Sequence, residues 1–118
     1  PYSDQNKNLV NFNTLMNIKN RDFLLINTAR GGIVSQKDLY KYYKINNRFN
    51  IALDVLEVEP PRDDDKLINL WKSKKTDRII INPHTAFYSK AAYKEMRVKA
   101  SLLALNYIKY NKLDNVIV

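Results

Sequence analysis

An arginine, a glutamate and the only histidine of the sequence each follow a short apolar run, and together they could carry out acid–base chemistry on a carboxylic acid. Arg30, Glu59 and His84 come after the apolar runs at 24–26, 51–55 and 78–82. If these runs are parallel strands, their carboxyl ends meet at one edge of a sheet, where such folds bind ligands. Taken singly, each residue has a plainer explanation: a solvated turn arginine, a loop acid before two prolines, and a structural histidine. Their convergence favours a functional site.

The three residue types match what the oxidation of a 2-hydroxy acid requires. Arg30 would grip the substrate carboxylate with two parallel hydrogen bonds and polarise the neighbouring oxygen. His84 would take the hydroxyl proton as hydride leaves, and return it in the reverse reduction. Glu59 would hold the imidazole in one orientation and favour its protonated form. The hydride itself belongs to a nicotinamide cofactor.

The elements that must position these residues are predicted to form an α/β domain, because apolar strand runs alternate with helical patterns. Strands are predicted at 23–27, 51–55 and 78–82, in a parallel sheet buried on both faces. Helices are predicted at 14–19 with Asn13 as N-cap, at 36–45 with Ser35 as N-cap and Asp38 completing an approximate capping box, at 66–71, and from Ser89 to about Asn111. Three strands make a thin sheet, which indicates half of a doubly wound domain rather than a whole one.

Composition indicates a small globular domain. The chain has 118 residues, of which 45% are hydrophobic and 27% are charged. It shows no membrane-spanning run and no signal peptide, and it lacks cysteine, which excludes a disulfide framework and fits an intracellular protein. The net charge of +8 comes from scattered lysines, so we expect no direct contact with nucleic acid. Because the first residue is Pro1 rather than methionine, we expect a piece of a longer polypeptide.

Three short blocks resemble the signatures of the D-isomer-specific 2-hydroxyacid dehydrogenases, in the same order and spacing. They are Asn27-Thr28-Ala29-Arg30-Gly31-Gly32, Ala52-Leu53-Asp54-Val55 with Glu59-Pro60, and Asn82-Pro83-His84. Two further blocks, Ala86-Phe87-Tyr88-Ser89 and Glu95-Met96-Arg97, resemble the C-terminal-binding protein branch, whose members are transcriptional corepressors. The resemblance implies the second half of a Rossmann-type, doubly wound parallel sheet with a long C-terminal exit helix.

The resemblance also implies a cofactor and the residues of the site. The cofactor is NAD, and no metal is expected. Phe87 would line the substrate pocket, where the corepressor branch has a tryptophan, and Glu57 is disfavoured as the partner of the histidine. Catalytic roles fall on Arg30, Glu59 and His84, and NAD contacts on Thr28, Ala29, Arg30, Asp54 and His84.

The organisation implied by the resemblance is a partial one. Residues 1–105 would form the C-terminal half of the NAD-binding domain, and 106–118 an exit segment returning toward the substrate-binding domain. No Gly-x-Gly-x-x-Gly turn occurs in these residues, and the family places that turn upstream.

Three functions remain open at this point. The first is a cytoplasmic dehydrogenase acting on small 2-hydroxy or 2-oxo acids, a homodimer in its full-length form. The second is a nuclear corepressor that binds transcription factors and uses NAD-linked dimerisation. The third is an inactive fragment. No membrane partner is expected for any of them.

Overall fold

A computed structural model describes residues 2–114 and 116, which form two compact units, Pro1–Thr85 and Ala86–Val118. The first unit contains a parallel sheet of three strands in the order β1 (Phe23–Asn27), β2 (Phe49–Leu53) and β3 (Ile79–Ile81). The predicted α/β class with a parallel sheet is confirmed. The β1 bounds are as predicted, whereas β2 begins and ends two residues earlier than expected and β3 loses a residue at each end.

The register of the sheet brings the ends of the strands to one level. Asn27 pairs with Leu53, and Leu53 pairs with Ile81. The last residues of all three strands therefore form one row. The loops that follow them, which carry the three candidate residues, leave the sheet from the same edge.

Among its described residues, the first unit has three short α-helices: α1 (Phe12–Met16), α2 (Gln36–Ile45) and α3 (Lys66–Lys72). Ser35 caps α2 as predicted, but the Asp38 carboxylate does not close a capping box; it accepts a hydrogen bond from the Phe12 N–H instead. The predicted cap of α1 is wrong by two residues. The cap is Asn11, because its side chain accepts from two backbone N–H groups, of Asn13 and Thr14.

The core lies on one side of the sheet, between the strands and the helices. Its largest fully buried side chains are Tyr42, Phe49, Leu15, Leu39, Ile51, Leu67 and Ile68. Leu24, Ile26 and Ile80 point to the opposite face, which the helices of this unit leave exposed. The expectation of strands buried on both faces is therefore wrong for this unit, where burial alternates along β1 and β2.

The second unit is built on one long helix, α4 (Lys90–Tyr110). The Ser89 side chain caps its first turn, and Asn111 ends it in the left-handed conformation with φ 51°, so the predicted bounds are confirmed. The boundary after Thr85 separates two compact units. The predicted boundary after residue 105, between the NAD-binding domain and the exit segment, stays a prediction. Residues 115, 117 and 118 of the predicted exit segment lie outside the described residues. Among the described residues, no helix combines the length and apolar character needed to cross a bilayer.

Candidate active site

Glu59 and His84 meet at the carboxyl edge of the sheet. The Nδ1 atom of His84 lies 2.8 Å from Oε2 of Glu59, and the other carboxylate oxygen accepts the Leu56 N–H at 2.7 Å. These two hydrogen bonds, with the histidine bond the larger cause, lower the pKa of the Glu59 carboxyl below its ordinary value. The predicted proximity of this acid and this imidazole is observed, and their catalytic roles stay predictions.

His84 is held in place from the end of β2. Its backbone N–H donates to the Asp54 carbonyl at 2.9 Å, and the backbone N–H of the next residue, Thr85, donates to the Asp54 carboxylate at 2.8 Å. Asp54 is buried, at 5% exposure. The backbone of His84 has φ 56°, a left-handed conformation that histidine adopts more readily than most residues and that is frequent at functional sites. Asp54 thus anchors the histidine; its predicted contact with the cofactor stays a prediction.

Arg30 lies in an exposed turn at the end of β1, on the same edge of the sheet. The Asn27 side chain shapes this turn, because its amide donates to the Arg30 carbonyl at 3.0 Å and its oxygen accepts the Ala29 N–H at 3.1 Å. The guanidinium donates to the Ala29 carbonyl at 2.7 Å, so its described contact lies within the turn. The side chain stands at the surface of the edge that also carries His84.

The loop after β1 and the loop after β2 touch at Gly31. A Cβ atom added to Gly31 would lie 1.7 Å from the Leu56 carbonyl oxygen, so only glycine fits beneath that peptide. Glu57 turns away from the histidine, and its carboxylate accepts the Gln36 N–H at 3.1 Å. The close crossing of the two loops fixes where the Glu59 loop leaves the sheet.

The residues predicted to contact NAD lie at this edge, and those contacts stay predictions. Thr28 and Ala29 are exposed beside Arg30, and the imidazole lies on the same edge with 46% of its side chain exposed. The sequence contains no glycine-rich turn that could hold the phosphates. Within the described residues no group of acids and histidines could hold a metal ion.

Phe87, the predicted wall of the substrate pocket, belongs to the second unit. Its ring packs edge-on against Tyr88, with centroids 6.1 Å apart. Its place beside the substrate stays a prediction.

Two groups that shape the site were not predicted from the sequence. They are Gln36, whose side chain contacts the Glu59 loop, and the Leu56 N–H, which binds the glutamate directly. Neither leaves a clear signal in the sequence, since a glutamine early in a helix is ordinary and a backbone N–H is present at almost every residue. The glycine pair was visible, but the peptide that approaches it was not.

Known proteins resemble this chain over most of its length. The family model of the D-isomer specific 2-hydroxyacid dehydrogenase NAD-binding domain matches residues 1–86. The glycerate dehydrogenase of Methylorubrum extorquens is 33% identical over 106 residues, which are 90% of this chain and 31% of that protein. The glyoxylate reductase of Korarchaeum cryptofilum is 31% identical over 112 residues, covering 95% of this chain and 31% of that protein.

A solved structure shows the same fold. The D-lactate dehydrogenase of Aquifex aeolicus, complexed with NAD and lactic acid, superposes with a TM-score of 0.78 at 27% identity, over 92% of this chain and 35% of that one. The predicted fold class is thereby confirmed. The chain spans about a third of the length of these proteins. The named relatives are dehydrogenases and reductases, and the corepressor branch stays a prediction that rests on the blocks around Phe87 and Met96.

Proposed function

Since this chain belongs to the D-isomer-specific 2-hydroxyacid dehydrogenase family through its NAD-binding domain, we propose that it supplies the acid–base pair and the carboxylate clamp of an NAD-dependent 2-oxo acid reductase. The observation that carries the proposal is the 2.8 Å contact between His84 Nδ1 and Glu59 at the edge where β1 presents Arg30. The cofactor of the domain family is NAD. The acid–base pair would act on a small 2-oxo or 2-hydroxy acid.

His84 is the proposed proton donor in the reduction. Because Glu59 occupies Nδ1, the other ring nitrogen, Nε2, is the one that can face a substrate. Its proton goes to the carbonyl oxygen of the 2-oxo acid, and the product is the 2-hydroxy acid. A nicotinamide bound at this edge would supply the hydride that the carbonyl carbon receives. The nearby carboxylate stabilises the positive charge that the ring carries before it donates.

Arg30 is the proposed clamp for the substrate carboxylate. Its side chain is exposed, and its one described hydrogen bond is to the carbonyl of the adjacent residue, Ala29. A guanidinium can exchange such a bond for two parallel hydrogen bonds to a carboxylate, which also orients the neighbouring carbonyl. Lysine keeps the charge but has no planar fork. The positive charge of a lysine at position 30 should therefore not be enough to hold and orient the substrate carboxylate.

The test uses the protein that contains this chain, assayed for NADH-dependent reduction of glyoxylate, hydroxypyruvate and pyruvate. We expect Arg30→Lys to lower kcat/KM by a factor of about 10 to 150, from the ~1.5–3 kcal/mol of a hydrogen bond to a charged group. Arg48→Lys is the matched control, because Arg48 is exposed and lies between α2 and the start of β2, not in a loop that follows a strand. We expect His84→Gln to lower kcat with all three substrates.

The outcomes separate the parts of the proposal. Wild-type protein that binds NADH and reduces none of the three acids would contradict the reductase. Activity that survives both Arg30→Lys and His84→Gln would assign the chemistry to other residues. Equal losses of kcat/KM in Arg30→Lys and Arg48→Lys would contradict the role of Arg30 as the carboxylate clamp.

A further inference from the structure

Gln36 is a buried polar residue whose side-chain oxygen and nitrogen both have hydrogen-bond partners. Only 4% of the residue is exposed. Its side-chain oxygen accepts the Glu57 N–H, its backbone N–H donates to the Glu57 carboxylate at 3.1 Å, and its side-chain amide donates to Asp65 at 2.9 Å. Burying an amide is costly unless it is hydrogen-bonded, and here both its oxygen and its nitrogen are hydrogen-bonded. The side chain is therefore held in a single position.

These bonds join three separate segments of the first unit. The two bonds to Glu57 are reciprocal, so they fix both the backbone and the carboxylate of that residue. The Asp65 carboxylate that receives the third bond also caps α3, accepting from Leu67 and Ile68 at 2.9 and 3.0 Å. Gln36 itself is the first residue of α2. The start of α2, the loop after β2 and the cap of α3 thus meet on one side chain.

The loop that Gln36 holds is the loop that carries Glu59. The Glu57 N–H bonded to Gln36 is adjacent in the chain to the Leu56 N–H, which binds the Glu59 carboxylate at 2.7 Å. Residues 57 to 60 are exposed, so few packing contacts are available to fix the loop. Two contacts from inside the domain hold its start: the Gln36 hydrogen bonds at Glu57 and the close approach of Gly31 to Leu56.

We infer that Gln36 is a positioning residue for the acid–base pair, which holds the loop 56–59 so that Glu59 reaches His84. This inference rests on the proposed reductase function for its kinetic consequences. Gln36 does not touch the imidazole and acts only through the loop. Its loss should therefore change the geometry of the pair more than the folding of the core.

The experiment compares Gln36→Leu with Tyr43→Phe in the protein that contains this chain. Leucine is similar in size but cannot form the side-chain bonds to Glu57 and Asp65. The control, Tyr43→Phe, removes one partly buried hydrogen bond, the 2.6 Å contact between Tyr43 and Thr76, which lies in the segment preceding β3. With glyoxylate as the substrate, we expect Gln36→Leu to lower kcat roughly tenfold without changing the affinity for NADH, while Tyr43→Phe lowers Tm but leaves kcat unchanged.

A second readout does not depend on catalysis. In a carbon NMR titration of the glutamate carboxyls, Gln36→Leu should raise the Glu59 pKa toward its ordinary value, because the bonds to His84 and Leu56 loosen. Tyr43→Phe should leave that titration unchanged. If Gln36→Leu does not fold, Gln36→Asn replaces it. This variant keeps the amide but is one methylene shorter, so it cannot reach both Glu57 and Asp65, and the same changes should be seen at smaller size.

Failure of this inference can be told apart from failure of the proposed function. An active wild type in which Gln36→Leu lowers Tm like Tyr43→Phe, with unchanged kcat and unchanged Glu59 titration, would overturn the positioning role alone. An inactive wild type would contradict the reductase. The Glu59 titration would then still decide whether Gln36 holds the pair.

Discussion

Replacing Gly31 with alanine tests whether the loops after β1 and β2 cross as closely as the structure shows. The added Cβ would lie 1.7 Å from the Leu56 carbonyl oxygen, 2.1 Å from its carbon and 2.6 Å from the Glu57 nitrogen. All three are backbone atoms, so no side chain can swing aside. Ordinary contact begins near 3.4 Å, and the Leu56 peptide would have to retreat by about 1.7 Å. Because the backbone N–H of the same residue, Leu56, donates to the Glu59 carboxylate, the retreat should pull the acid away from His84.

The expected cost of Gly31→Ala has two parts. Forcing an extra methyl group into a packed site typically costs about 1–3 kcal/mol of unfolding free energy. A displacement of more than about 1 Å at a catalytic group can cost roughly 100-fold in rate. Urea denaturation measures the loss of stability, and steady-state kinetics with glyoxylate as the substrate measure the loss of rate.

Gly32→Ala is the matched control for this substitution. The three atoms nearest its Cβ would all belong to the Tyr2 side chain, the first at 2.7 Å, and Tyr2 is 44% exposed and can move. Neither glycine has a positive φ, so alanine is not excluded by backbone conformation at either position. We expect Gly32→Ala to change stability by less than about 1 kcal/mol. If both variants behave alike in stability and in kcat, the close crossing of the loops is contradicted.

Two further predictions concern Glu59 and the cofactor. The folded-state pKa of Glu59 is lowered, so its stabilising effect is present above the unfolded pKa of 4.5 and is lost as the pH falls through the folded pKa. The difference in unfolding free energy between wild type and Glu59→Gln, below about 1 kcal/mol for an exposed pair, should therefore shrink from pH 7 to pH 3. A difference that stays constant over this range would contradict the coupling of Glu59 to His84. Because its 118 residues contain no Gly-x-Gly-x-x-Gly turn, this chain alone should bind NADH weakly or not at all, and a tight, saturable fluorescence titration of a monodisperse sample would contradict this.

Much of the fold could be predicted because local signals and tertiary structure agree. β1 and α4 have their predicted bounds, since an apolar run between turns and a serine cap are each sufficient at those positions. The prediction placed β2 two residues too late, because Asp54 and Val55 are buried like strand residues. The ladder nevertheless ends with β1, where Asn27 pairs with Leu53. Burial can be inferred from a sequence, whereas the end of a ladder depends on the neighbouring strand.

The errors at the helix caps have a similar origin. Asn11 and Asn13 are equally good cap residues by type. Asn11 is the cap because its side chain accepts hydrogen bonds from two backbone N–H groups of the first turn. Asp38 looked like half of a capping box, but a residue 26 positions away, Phe12, takes its carboxylate. Polar side chains offer more than one local bond, and distant contacts decide which one forms.

The same reasoning explains how an exposed acid–base pair can be held in place. The side chains of His84 and Glu59 are 46% and 38% exposed, and such an ion pair contributes too little to fix two loops by itself. Each partner is instead held from the buried side by a polar residue: Asp54 binds the backbone at His84 and Thr85, and Gln36 binds the backbone of the loop that carries Glu59. Both anchors are nearly inaccessible, at 5% and 4% exposure. The geometry of the pair is therefore set by the folded domain, while both side chains remain accessible from outside it.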